Sequence, residues 1–314
     1  MATATLLLPA RGRFGGQLLP EALGRRLGRA DRRVGKGAQL ARVFDLLPRG
    51  WPVAAATRQR DAGDAGQDAW LRADPAYVRP DINGARLLAH GDALSLTDED
   101  TAAFLPALKP LFGDAGFPID APTPSRWYLR LPAGAKLPSF TSPADALGAD
   151  LLDQLPGSGE QDSPEGRRWR ALLSEAQVVL HNHSRNAQRA AEGLAPVNSV
   201  WFWGAGVLPD HVRTSFSEIC SDDEAMRAFA DLAGIASSPL PDAWQAGGGD
   251  RLIDLRHGRG LAVLDRDWMA PALRDLDVGA LERLTLDFAD GMRFEVAIRQ
   301  RWRFWRRPVG TFDP

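Results

Sequence analysis

The chain has 314 residues, of which 44 % are hydrophobic and 25 % charged. That balance is ordinary for a globular protein and argues against global disorder or an integral membrane protein. Its 38 Lys and Arg nearly cancel 40 Asp and Glu, and the formal charge of −2 excludes a generic polyanion binder, so any nucleic-acid surface has to be local.

In chain order, Thr3–Leu8 reads as a strand. Its apolar run is too short for a secretory core, and no later run reaches membrane-spanning length, so a cytoplasmic location without a membrane partner is expected. An Arg-rich amphipathic helix follows, with Pro20 near its first turn and Leu23, Leu27 and Ala30 on one face. A second helix is expected over 37–46, a buried strand over 51–57 and a polar loop over 60–67. Asp61, Asp64 and Asp68 lack the central Gly and terminal Glu of an EF-hand and read as a solvated loop. This strand, helix, strand order favours a parallel sheet with helices packed on it. A short strand over 86–88 leads to Gly91, and a helix starts at Asp98 with Thr97 as N-cap and Asp100 at the third position, limited by Pro106 and Pro110. Residues 125–131 alternate like a strand within a proline-punctuated region, and 155–164 is a polar connector that could mark a subdomain edge.

The helix over 169–191 carries two patterns. Trp169, Leu172, Leu173, Ala176, Val179, Leu180, Ala187, Ala190 and Ala191 define a core face. Asn182, Arg185, Asn186 and Arg189 recur at offsets of three and four, which stacks two amides and two guanidiniums into one stripe suited to an oxyanion. The wet side of an ordinary helix has the same description. Gly193 stops the helix, Pro196 forces extended geometry on Ala195, and 197–203 is a strand opening into Gly204 and Gly206, a weak ligand signal that is more often only a turn. Cys220 is the only cysteine; it excludes an internal disulfide, and its acidic flanks disfavour a reactive thiolate. At the end, 281–288 and 292–304 flank Ala289-Asp290-Gly291 as a hairpin. Its second strand alternates Met292, Phe294, Val296, Ile298, Trp302 and Phe304 with Arg293, Glu295, Arg299, Arg301 and Arg303. Either an edge strand guarded by charge or a surface for phosphates and bases fits that pattern.

Several of these segments resemble a known family. AYVRPDINGARLLAHG from Ala76, LTDEDTAAFLPAL from Leu96, SFTSPADALG from Ser139, and the 181–189 block followed by PVNSVWFWGAG look like archaeal-type, cofactor-independent phosphoglycerate mutases of the alkaline phosphatase superfamily, over roughly residues 70 to 210. With LLLPARGRF, SRWYLRLP and RWRFWRRP added, nearly the whole chain resembles the RpfE-type regulatory proteins, which are phosphoglycerate mutase-like. The resemblance implies an α/β fold with a mostly parallel central sheet flanked by helices, degenerate relative to alkaline phosphatase, formed by 1–69 and 207–314 and closed by the C-terminal hairpin. Residues 70–206 would be an inserted α+β subdomain that holds ligand. It also implies that Arg79, Asn83, Asn186, Arg189 and Asn198 face a phosphorylated small molecule, to which the helical stripe adds Asn182 and Arg185.

The catalytic half of the resemblance is missing. A superfamily enzyme needs an Asp after the first strand, a Ser or Thr nucleophile, and Asp and His grouped around two divalent metals. Here Pro9, Ala10, Arg11 and Gly12 follow the first strand, and the five histidines, His90, His181, His183, His211 and His257, are scattered; His181 and His183, two apart on a helix, point apart. The reading is therefore a mutase-like protein without metal or other cofactor, binding a phosphorylated metabolite in regulation, with a protein partner possible and nucleic acid disfavoured. An active mutase or phosphatase using two divalent metals, and a nucleic-acid or protein-interaction module working through the C-terminal Arg/Trp strand, stay open.

Overall fold

The computed structural model describes residues 2–81, 84–158, 163–258 and 260–312. The chain divides into an outer unit, Met1–Arg49 with Asp210–Pro314, and a middle unit, Gly50–Pro209. β1 (Thr3–Leu8) is buried over its last five residues, as a strand covered on both faces must be. α1 (Glu21–Arg29) turns Leu23 and Leu27 inward, and β2 (Asp31–Val34) follows directly. The helix expected over 37–46 does not form. Between Gly37 and Pro48 there is room only for a 3-10 turn at Leu40–Arg42 and the short β3 (Asp45–Leu47), because so short a segment does not recover the cost of helix nucleation.

The expected strand over 51–57 is instead the first element of the middle unit, α2 (Val53–Ala62). Three consecutive alanines have the highest helix propensity, Pro52 precedes the first turn, and Gly63 ends the helix at φ 71°, so local preference outweighs the apolar run. β4 (Ala69–Asp81), β5 (Gly84–His90), α3 (Asp98–Asp114), β6 (Ile119–Thr123), β7 (Arg126–Leu131), α4 (Pro143–Ala146), α5 (Pro164–His181), α6 (Arg185–Ala191) and β8 (Ser199–Gly206) complete this unit. β4 is the spine: it pairs antiparallel with β5, β7 and β8, and β6 pairs with β7. One face of the sheet packs Trp127, Leu129, Val200 and Phe202 against Phe104 and Phe112 of α3 and Trp169, Leu173 and Leu180 of α5. The other packs Trp70 and Tyr128 against Ala54 and Ala55 of α2. That packing places 53–62 with the middle unit, so the division falls at 49/50 and 209/210 where the sequence suggested 69/70 and 206/207.

Pro106 and Pro110 do not limit α3. Both are exposed, and carbonyls that lose an N–H partner on the wet side of a helix bond to water instead.

The chain returns to the outer unit as β9 (His211–Arg213), which pairs with β3. It continues through β10 (Glu218–Cys220), α7 (Glu224–Leu232), β11 (Ala236–Ser238), β12 (Asp250–Asp254), α8 (Leu261–Leu264), α9 (Ala270–Asp277), β13 (Arg283–Phe288) and β14 (Met292–Ala297). The seven-stranded sheet runs β11-β10-β12-β1-β13-β14-β2, parallel across its first five strands and antiparallel at β14 and β2. Leu6, Leu8, Ile253, Leu284 and Leu286 pack with Leu23, Leu27, Trp268, Leu276 and Phe312 into the core of this unit, and Cys220 is buried with them. The expected α/β architecture, mostly parallel and flanked by helices, is present, as is the hairpin. Its second strand, however, ends at Ala297. Gln300 folds back to accept from the Ala297 amide and donate to Asp31, which turns Ile298–Trp302 into a 3-10 helix rather than further strand.

Candidate functional site

The polar stripe of the 169–191 helix breaks up because the helix does. α5 ends at His181, Asn182 caps it at φ −86°, and α6 begins only at Arg185, so the four residues no longer share one face. Asn182 donates to Val178 O at 2.9 Å. Asn186 donates to Leu180 O (2.8 Å) and Val197 O (2.9 Å) and accepts from Val197 N (2.9 Å), tying α5 to the entry of β8. Asn198 exchanges two bonds of 2.8 and 2.9 Å with the Val78 backbone. These amide bonds hold the local backbone in place. Arg185 and Arg189 do converge on an oxyanion, and it is Asp100: Arg185 Nε donates to Oδ1 at 2.7 Å and Arg189 Nη1 to Oδ2 at 2.6 Å. Arg189 is fully buried and spends its remaining donors on Leu94 O and Ala195 O. Asp100 also closes the Thr97 capping box. Burial raises its pKa, but the Thr97 amide, then Arg185 and Arg189, outweigh that and hold the carboxyl below its ordinary range. Arg79 is exposed on β4 opposite Arg86 and makes no ion pair with a described residue. Asn83 lies outside the described residues.

Beneath α2 lies a second polar cluster. In β4, Trp70, Arg72 and Asp74 alternate and so point to one face. Arg72 clasps Asp74 at 2.7 and 2.9 Å with both side chains buried, and reaches Thr57 Oγ1 at 3.2 Å. Trp203 Nε1 donates to Asp74 at 2.7 Å, and the Arg72 guanidinium lies 5.1 and 5.4 Å from the Trp203 and Tyr128 rings. The Tyr128 hydroxyl donates to Asp61, which Arg126 holds at 2.7 and 2.9 Å; burial pushes the phenol pKa up. Asp61 is therefore a buried anchor rather than part of a solvated loop, and Asp64 is bound by Arg58. His90 stands beside Arg72 and Asp74. Burial lowers its pKa, and its Nδ1 has no hydrogen-bond partner among the described residues. A neutral imidazole with a free nitrogen can accept a proton. The sequence signal for this cluster was two charges at period two, Arg72 and Asp74, within the otherwise uncharged 69–78 stretch of the strand.

In the outer unit, the carboxyl ends of the parallel strands are where α/β folds place ligands. Leu7 of β1 aligns with Asp254 of β12 on one side and Asp287 of β13 on the other, so the two carboxylates flank it on one face. Asp254 accepts from Arg256 at 2.6 and 2.8 Å and from Ser221 at 2.7 Å, and Arg256 also reaches Asp223 at 2.8 Å. Asp287 accepts from Arg42 at 2.6 Å, with Arg293 Nε at 3.1 Å. Burial alone would raise the pKa of Asp254; bonding to Arg256, its charge, and Ser221 bring it below the ordinary range.

These residues do not fit a pair of divalent cations. The strand-end carboxylates already face guanidiniums, which would have to leave before a metal entered. Among the described residues no three of His, Cys, Asp and Glu group as a metal site. His183 packs on the Phe104 ring at 4.8 Å, and His181, His211 and His257 are exposed at separate places along the chain.

No family model matches the chain. Over 127 residues, 40 % of its length, it is 30 % identical to the 2,3-bisphosphoglycerate-independent phosphoglycerate mutase of Methanosarcina barkeri, covering 30 % of that protein. Over 126 residues, 39 % of the chain, it is 32 % identical to the probable enzyme of the same name from Geobacter sulfurreducens, again covering 30 %. The chain thus spans less than a third of the length of these curated relatives. Among solved structures it is similar to a cofactor-independent phosphoglycerate mutase from Thermoplasma acidophilum, at 14 % identity and TM-score 0.40 over 95 % of this chain and 90 % of that one. A Pyrococcus horikoshii protein is 10 % identical with TM-score 0.46 over 98 % and 90 %.

Proposed function

We propose that the chain is a phosphoglycerate mutase-like protein of the RpfE-type regulatory kind, without a metal-dependent catalytic site, that binds a phosphorylated small metabolite in the cytoplasm and passes that state to a protein partner. The observation that carries this reading is the pairing of Asp254 and Asp287 with Arg256, Arg42 and Arg293 at the carboxyl ends of the parallel strands. Two-metal phosphoryl transfer needs carboxylates free to coordinate cations and a nucleophile between them. Carboxylates paired with guanidiniums, and a first strand followed by Pro9 and Ala10 where that chemistry calls for Asp, support the reading without metals. For the phosphate we assign the exposed stretch of β4 at Arg79, which has no carboxylate partner among the described residues. Asn186, Arg189 and Asn198 then act by shaping the unit that carries this stretch.

Thermal unfolding with 3-phosphoglycerate, phosphoenolpyruvate and inorganic phosphate, each with manganese or with chelator, tests the reading. A native-state ligand at a hundred times its Kd adds about 2.7 kcal/mol, a shift of several degrees. The expected result is a saturable rise in Tm that chelation leaves intact, no turnover, and loss of the rise in Arg79→Ala. Conversion of 3-phosphoglycerate that chelator abolishes would establish the active, metal-dependent enzyme instead.

A further inference from the structure

After Ala297 the chain leaves the sheet and is fastened onto α1. Arg303 donates to Asp31 Oδ1 and Arg29 O, Arg306 to Ala30 O, and Arg29 to Arg301 O. Gln300 is buried beneath them. In α1, Gly24 and Gly28 lie one turn apart; a Cβ on either would meet Val309 O at 2.4 Å or Arg307 O at 2.2 Å, so only glycine lets the 307–309 backbone cross the helix there. Helix-interior glycines are unfavourable, which makes this anchoring a costly feature. The anchored segment nevertheless holds three large rings in water: Trp302, Phe304 and Trp305 are 66, 76 and 69 % exposed. Charge guarding an edge strand cannot explain them, because these residues are no longer on a strand.

Around the rings the surface is cationic. Arg299, Arg301 and Arg307 are exposed and, like Arg32 nearby, have no carboxylate partner among the described residues. Burial, then the charges of Arg29 and Arg301, pushes the pKa of Arg26 down, and Asp277 pairs with that guanidinium. The rings are poorly disposed for stacked bases. Arg301 covers Trp302 at 4.8 Å, and Phe304 and Trp305 meet edge to face at 5.5 Å and 80°. Aromatic side chains clustered among arginines match the layer where phosphate headgroups meet acyl chains.

We propose that residues 299–307 form a docking wedge for an anionic phospholipid surface, with the three rings entering the headgroup boundary and Arg299, Arg301 and Arg307 meeting lipid phosphates. Such contact requires no spanning segment, and no described helix is long and apolar enough to be one. The test is co-sedimentation of the whole protein with phosphatidylcholine vesicles that contain or lack phosphatidylglycerol. Binding is expected only to the anionic vesicles and falls as salt rises. Joint replacement of Arg299, Arg301 and Arg307 by Gln weakens it roughly a hundredfold. The variant Trp302→Ser, Phe304→Ser, Trp305→Ser keeps the parental circular dichroism, since these rings are exposed, yet no longer pellets. Absence of pelleting by the parent, equal binding to neutral vesicles, or parental binding by the ring variant would each overturn the proposal. Displacement of the protein from vesicles by a single-stranded oligonucleotide at lower concentration than lipid phosphate would also overturn it, in favour of a nucleic-acid surface.

Discussion

Two guanidiniums converge on one carboxylate at Asp100, and Arg189 of that trio is wholly enclosed. Removing one partner of a buried pair strands the other charge, so Arg189→Ala should cost about 3 to 5 kcal/mol in urea unfolding, and Asp100→Ala a similar amount. The double variant Arg189→Met with Asp100→Leu removes the enclosed pair together, leaves Arg185 its bonds to Glu99 and Gln188, and should lose less than either single change. Sequence alone made the oxyanion clamp legible in its residue types but hid its occupant: Asp100 looked like a helix cap, and a cap can also be a counter-ion. It likewise cannot say whether an Asn such as Asn198 turns to solvent or to backbone, since both uses demand the same amide. Acid should reveal these groups in two stages. His90 has a folded pKa lowered by burial, so the unfolded chain binds more protons and stability begins to fall below about pH 6.5. Asp100 and Asp254 ionise below the ordinary carboxylate range, so the stability they confer is intact above about pH 4 and drains as pH falls through their folded values. Urea midpoints measured against pH should show both stages, and His90→Gln should remove only the upper one.

Elements whose signals are local were the most readable. The start of α3 is an example: Thr97 and Asp100 form the reciprocal cap that their spacing suggested. Thr97→Ala should destabilise by about 1 kcal/mol while Thr97→Ser stays close to the parent, by equilibrium unfolding. Where the reading failed, two physical preferences competed. At 53–62, burial argued for a strand and alanine propensity for a helix, and propensity won. At 181–185, periodicity ran through a position where the backbone turns, so residues three and four apart in number are not neighbours in space. At 298–302, alternation persisted in the letters after Gln300 had bent the chain away from the sheet.

Across the whole molecule, the class of fold was readable and the strand order was not. Alternating strands and helices specify a parallel sheet, but β1 finds both of its neighbours more than 240 residues later, and nothing local announces those pairings. The middle unit is continuous in sequence and has its own aromatic core, so residues 50–209 expressed alone should show parental near-ultraviolet dichroism and a single cooperative melt; a chain without fixed tertiary signals would contradict that autonomy. One last consequence concerns Cys220. It is 2 % exposed on β10, clasped by β11 and β12, and it is the sole thiol in the chain. The protein therefore carries a built-in clock: the yellow colour released from an aromatic disulfide reagent should appear only as fast as that border of the sheet peels open, with no engineered label needed.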